Sequence, residues 1–192
     1  DLRMSRGLGD VYKRQIEDYF RLNEIILDKE TSKDIFNKTL GWPYVVHLYM
    51  EAYKNKHTDA DKTVLDKAYT FIENNVWLEL SDDERQFLAT MSVFSSFNLN
   101  QCMKQTFLEE KMCLKLLNSI PLINYDEHTR RYSFNPMFDG FILQVLDEMP
   151  VDEVTKITLR AADTNLDDGN YFEAMKLYSH SKEYRKIYQH NI

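Results

Sequence analysis

Apolar residues recur at helical spacing along most of this chain and at strand spacing over one short stretch. Ile16, Tyr19, Phe20 and Asn23 share one helical face. Asp28 or Thr31 is placed to cap a second helix carrying Ile35, Phe36 and Thr39. Gly41 is expected to end that helix, because glycine takes the left-handed position after a helix without strain. Pro43 then opens a third helix at the position where its missing N–H costs nothing. That helix, Tyr44 to Tyr53, is apolar on most sides. Lys54 to Asp61 is polar and reads as a linker. A further helix is expected from about Lys62 to Leu80, with Val64, Leu65, Ala68, Phe71, Ile72, Val76 and Leu80 inward.

Ser81 and Glu84 have the spacing of a capping box. The helix they open presents Phe87, Leu88, Met91 and Val93. Asn98 or Asn100 caps a short helix containing Cys102 and Phe107, and Lys111 to Ile120 forms another, stopped by Pro121. Then the period changes. Leu122 to Tyr125 and Arg131 to Phe134 flank a polar turn, Asp126 to Arg130, and predict a two-stranded hairpin. A helical triplet followed by a hairpin is the outline of a winged helix. Pro136 opens a helix running to Met149, and Pro150 breaks it. Three more helices are expected: Asp152 to Asp167, Asn170 to Ser179, and Glu183 onward. The middle one has the aromatic–small–aromatic spacing of tetratricopeptide-like helix pairs, with Gly169 as the turn.

About 43% of the residues are apolar and 29% are charged, which suits a globular rather than a disordered chain. No run approaches the roughly 18 consecutive apolar residues of a membrane helix, and no apolar leader-like segment lies near the start. Cys102 and Cys113 lack metal-ligand spacing and read as buried thiols, so the expected location is cytoplasmic. Residues 1–15 resemble a translated sequencing-library adapter and are left out of the fold reasoning. Four of the 24 basic residues and two of the 31 acidic ones fall there. The formal charge thus moves from -7 to 20 bases against 29 acids, or -9.

Candidate chemistry is sparse. The five histidines, His47, His57, His128, His180 and His190, have no zinc spacing to one another or to a cysteine. The acidic groups Asp82-Asp83-Glu84 and Asp167-Asp168 sit at helix starts and turns, where they favour the helix dipole. No G-x-S-x-G elbow and no G-x-x-x-x-G-K-[ST] phosphate loop occurs. No catalytic residue and no metal site is therefore expected. The helix before the hairpin carries Glu109, Glu110, Lys111 and Lys115, and the hairpin sets Arg130 and Arg131 beside Asp126 and Glu127. Such balanced charge does not make a DNA-reading face, because phosphate contacts need clustered bases.

One motif points further. Gly41-Trp42-Pro43, preceded by Phe36-Asn37-Lys38-Thr39-Leu40, resembles the "T-x-G-W-P" motif of the MalT-like, large ATP-binding LuxR-family transcriptional regulators, which belong to the STAND class of nucleotide switches. Later features follow in the family's order. Phe71-Ile72-Glu73-Asn74-Asn75-Val76 resembles its "hydrophobic-E-E-N-V" segment, and Asp83 to Val93 its "L-x-x-F-L-x-x-T-S-V-L". Leu116 to Ile123 is similar to "L-x-x-x-N-L-F-L-x", Arg131-Tyr132-Ser133-Phe134 to "W-Y-R-Y-H-x-L-F", and Asp168 to Ala174 to the start of the sensor repeats.

The resemblance implies a mainly α chain. Residues 16–60 would be a helical lid, 61–150 a winged-helix domain, and 151–192 the start of tetratricopeptide-like sensor repeats. It implies an interior fragment of a signal-responsive regulator, with ATP or ADP bound only in the full-length protein and none by the fragment alone. Gly41, Trp42 and Pro43 would face the adenine. Family winged helices usually carry a histidine after the second hairpin strand; this chain reads Phe134-Asn135-Pro136-Met137, and Asn135 offers a hydrogen bond but no charge. The implied partners are a P-loop ATPase domain and further sensor repeats of the same chain, with self-association of the parent protein. Neither DNA nor a membrane is an expected partner of this segment. The rival expectation is a tetratricopeptide-like adaptor with no nucleotide role.

Overall fold

The structure, a computed structural model, describes residues 2–56 and 59–181, with side chains from Val11 onward. The expected helix from Glu183, together with His57 and His190, lies outside the described residues. The chain is mainly helical, with one small antiparallel sheet, and it packs as two compact units. One holds the residues up to Leu78 together with Asn135–Phe138; the other holds Glu79–Phe134 and the described residues from Asp139 on.

The first unit is built from α1 (Leu2–Leu22), α2 (Lys29–Thr39), α3 (Pro43–Lys54) and α4 (Ala60–Asn75). Asp28 caps α2 by accepting the Thr31 N–H at 2.7 Å. Asp59 does the same for α4 through Lys62, at 3.0 Å, so α4 starts two residues earlier than periodicity suggests. It also ends earlier, at Asn75. Asn74 and Asn75 turn their amides back onto the Thr70 and Phe71 carbonyls, and a short 3-10 turn, Trp77–Glu79, follows. Phe20, Ile35, Val45, Val64, Ala68 and Ile72 are almost wholly buried and form the core. Each large one contributes about 1.5–3 kcal/mol by leaving water. Leu65 and Phe71, also expected inward, are only half-buried.

Helix α1 passes without a break through the stretch set aside as adapter-like. Tyr12 stacks on Phe36 with ring centroids 6.3 Å apart, and the Lys13 ammonium lies 5.6 Å from the same ring.

The second unit contains α5 (Asp82–Met91), α6 (Leu99–Thr106), α7 (Glu110–Ser119), β1 (Ile123–Asp126), β2 (Arg131–Phe134), most of α8 (Pro136–Glu148), α9 (Val151–Asp167) and α10 (Tyr171–His180). The Ser81–Glu84 capping box forms, and a second one, Asn98–Gln101, opens α6. Strand β1 pairs antiparallel with β2 from Ile123↔Phe134 to Asp126↔Arg131. The sequence pattern gave no sign of a third participant. Phe97, between α5 and α6, pairs with Tyr132 on the other side of β2: its N–H donates to the Tyr132 carbonyl at 2.9 Å and its carbonyl accepts at 2.7 Å. Arg131 reinforces this junction, donating to the Ser96 carbonyl, the Ser96 hydroxyl and Gln101 Oε1.

Helices α9 and α10 form an antiparallel pair. Gly169 turns between them at φ 76°, a conformation suited to glycine. Ala162 and Ala174 let the backbones approach, and the Tyr178 hydroxyl donates to Asp163 at 2.5 Å. Among the described residues no helix is long and apolar enough to cross a membrane.

Candidate functional site

The Gly41-Trp42-Pro43 turn is organised by Thr39, a residue that the sequence reading treated only as part of the α2 face. Thr39 is fully buried. Its hydroxyl donates to the Ile35 carbonyl at 2.8 Å and accepts the Gly41 N–H at 3.0 Å. Its carbonyl accepts the Trp42 N–H at 3.0 Å. The end of α2 is thus closed by one side chain and two turn amides, which satisfies groups that a helix terminus otherwise leaves bare.

Gly41 has φ 76° as expected, but Leu40 precedes it in the left-handed region, at φ 48°. Leu40 is the C-cap of α2, its N–H reaching back to the Phe36 carbonyl at 2.7 Å, and Gly41 follows at the next position. Pro43 is the first residue of α3, as its chemistry predicts.

The three motif residues do not share one face. Gly41 and Pro43 line a concavity of about 280 Å³ together with Tyr12, Gln15, Ile16, Tyr19 and Val46. The Trp42 indole instead joins a cluster with Tyr44 and Phe71, at centroid separations of 6.0 and 5.9 Å, while Tyr44 and Phe71 lie 4.3 Å apart. Its ring meets Phe71 edge-to-face and Tyr44 at a tilt, and such pairs are worth about 0.5–1.5 kcal/mol each beyond area burial.

Asn135 is brought to the same turn from 96 residues away. Its Nδ2 donates to the Thr39 carbonyl at 3.3 Å, and its Oδ1 accepts the Met137 N–H at 3.0 Å, capping α8. Both ends of the buried amide are thus engaged by the protein itself. A separation of that length leaves no local signal for the Thr39 contact. The cap was legible, because Asn before Pro at a helix start is a standard pairing.

Beside the turn, Lys38 on α2, Tyr49 on α3 and Asp61 on α4 form a network. Lys38 Nζ lies 2.7 Å from both Asp34 and Asp61, and the Tyr49 hydroxyl donates to Asp61 at 2.8 Å. Burial works against the Lys38 ammonium, but the hydrogen bonds to Asp34 and Asp61 outweigh it and its pKa rises. The Lys38 hydrogen bond holds the Asp61 carboxyl below its ordinary range, and burial followed by Asp61 pushes the Tyr49 phenol up. All three groups thus keep their neutral-pH states and tie the helices that flank the motif.

His47 takes a hydrogen bond with the Tyr19 hydroxyl at 2.7 Å and lies 3.5 Å from Glu51. Cys102 and Cys113 are buried and free, and burial raises the Cys102 thiol pKa, which disfavours the reactive thiolate. Among the described residues no group of three or more His, Cys, Asp or Glu is placed to hold a metal ion. No protein-family model matches the chain, and no curated protein matches it.

Proposed function

We propose that the chain is an interior stretch of a signal-responsive, ATP-dependent transcriptional regulator of the MalT-like kind, in which it couples nucleotide state to sensor repeats. The observation that carries the reading is the Gly41–Pro43 turn. It is locked through Thr39 and Asn135, and it presents the Gly41 backbone and the Pro43 ring to a concavity whose other walls include Ile16, Tyr19 and Val46. A rigid apolar ring at a helix start, beside unpaired first-turn amides, suits one face of a planar base. Trp42 is not part of that face; on this reading it stiffens the turn through Tyr44 and Phe71. Asn135 positions the turn and does not contact nucleotide.

Two further features support the architecture that goes with this role. The order α5, Phe97, α6, α7, β1, β2, with Phe97 and β1 on opposite sides of β2, is compatible with the winged helix this reading calls for. The α9–α10 pair, with Gly169 at its turn and Ala162 and Ala174 between the helices, is compatible with a tetratricopeptide-like repeat. In the parent protein, nucleotide binding shifts populations between arrangements of these parts. ATP or ADP belongs to that full-length protein, whose P-loop domain supplies the phosphate contacts.

The adaptor reading is favoured by one observation: Tyr171 and Phe172 at the start of α10 are 57% and 64% exposed, a surface suited to further stacked helices whatever happens at the turn. Pro43→Ala in the full-length protein separates the two. It keeps a good helix former but removes the ring, and nucleotide affinity is expected to weaken by roughly 1 kcal/mol, the scale of one lost apolar contact. The stability of the isolated chain should change only slightly. Equal nucleotide affinities with and without the substitution would favour the adaptor.

A further inference from the structure

We infer that the concavity bordered by α5, α7 and α9 in the second unit is a binding site for a small amphipathic carboxylate. At about 680 Å³ it lies within the range of small-molecule sites, roughly 300–1,000 Å³. Phe87, Leu108, Met112 and Leu116 give it an apolar lining, and Arg160 from α9 lies on its wall.

The state of Arg160 directs the assignment. Its Nη1 donates to the Gln105 carbonyl at 2.9 Å, and the guanidinium carbon lies 4.5 Å from the centre of the Phe107 ring. No ion pair joins it to a carboxylate among the described residues. Asp163, one turn further along α9, accepts the Tyr178 hydroxyl. A guanidinium has five donors in a planar fork, and one backbone carbonyl leaves most of the fork for an incoming anion.

Phe107 supplies a second, independent mark. It is 75% exposed and sits in the left-handed region at φ 59°, a costly conformation for a bulky residue. The conformation is that of the α6 C-cap, whose N–H reaches the Met103 carbonyl at 2.9 Å, and it leaves the ring in solvent, where burial does not hold it. Lying 4.5 Å from the Arg160 guanidinium carbon, its ring face attracts the cation and restrains it at the cavity wall.

The other charged groups of the lining restrict the ligand's charge. Asp83 and Glu84 also line the cavity, and Glu84 is already held by Ser81 and Ser119. Lys115 lines the cavity as well and acts on Glu84, so the Arg160 fork is the cation left for a ligand, which suits one carboxylate with an apolar body. This site is independent of the nucleotide reading, since none of its residues belongs to the Gly41–Pro43 turn.

Calorimetric titration of the full 192-residue chain with sodium octanoate and with 1-octanol tests the assignment. Octanoate should bind the native chain. Arg160→Gln keeps an amide donor near the Gln105 carbonyl and removes the charge; it should weaken octanoate at least tenfold and leave octanol unchanged. Met112→Trp fills a partly exposed edge of the cavity and should abolish binding of both probes. Absence of octanoate binding, equal octanoate affinity in Arg160→Gln, or full binding by Met112→Trp would each overturn the proposal. Circular dichroism reports whether the variants fold, and if Arg160→Gln does not, the Met112→Trp result decides alone.

Discussion

Asn135 shows how much one buried amide can hold. It caps α8 through Met137 and donates to the carbonyl that also receives the Trp42 amide. Asn135→Ala removes both bonds and strands the Met137 N–H, so a loss of about 1–2 kcal/mol is expected in urea unfolding. Asn135→Asp keeps the cap but sets a carboxylate against the Thr39 carbonyl, and it should fall below the native chain as well. Asp139, on the same helix, carries the opposite kind of stress. Burial alone raises its pKa, with no cation offsetting it. A carboxyl raised in the folded state binds protons more tightly there than when unfolded. Its penalty is therefore fully present above the folded pKa and disappears as pH falls to the unfolded value, about 3.9. Asp139→Asn should raise the melting temperature at pH 7, and the gain should vanish below about pH 4. A gain of the same size at low pH would show that charge is not the cause. Asp61 runs the other way: its lowered pKa adds stability above the ordinary carboxylate range that is lost as pH falls through the folded value.

At the level of elements, the turn between α2 and α3 places two residues in succession at positive φ, Leu40 and then Gly41. The glycine adopts this conformation freely, whereas the leucine does so at a cost of roughly 1–2 kcal/mol. Leu40 is 43% exposed, so replacing it forfeits little burial. Leu40→Gly should therefore stabilise the chain, by up to about 1 kcal/mol after the entropy of the unfolded glycine is counted. A clear fall in melting temperature would mean that the Leu40 side chain contributes packing that its exposure conceals. The hairpin makes a comparable point. Its two strands are legible as alternation, but a two-stranded ribbon is marginal by itself, and here Phe97 and Arg131 attach it to the segment before α6.

The whole molecule carries a formal charge of -7, and the hairpin does not offset it locally. Arg131 is consumed in bonds to Ser96 and Gln101, leaving Arg130 as the hairpin's exposed base. Direct DNA binding by this segment is accordingly expected to be negligible: a mobility-shift assay on nonspecific duplex at low salt should show no complex at micromolar protein. A complex lost in Arg130→Gln would reverse that expectation. Arg131 is unsuited to the test, since its removal would loosen the hairpin. The first unit extends to Leu78 and takes in α4 with Asn135–Phe138, and no packing boundary falls at 150.

What the sequence determined by itself is what neighbouring residues decide. Asp28, Ser81 and Asn98 cap because an acceptor stands three residues before a free N–H, and Pro43 and Pro136 begin helices because their rings already hold the needed φ. Helical and strand periodicity located the elements for the same reason, and the ends of α4 were missed by a few residues because local side-chain bonds there competed with the pattern. The Gly41-Trp42-Pro43 turn was visible as a motif. Its division, with Gly41 and Pro43 toward one concavity and Trp42 toward Tyr44 and Phe71, was not, because the direction of a side chain depends on which helices pack around it. Tertiary structure alone decided the contacts between residues far apart in the chain: Asn135 on Thr39, Phe97 on Tyr132, Arg160 beside Phe107. Each joins groups whose separation along the chain leaves no mark in local composition, and each exists only once burial has brought the helices together and obliged their polar groups to find partners.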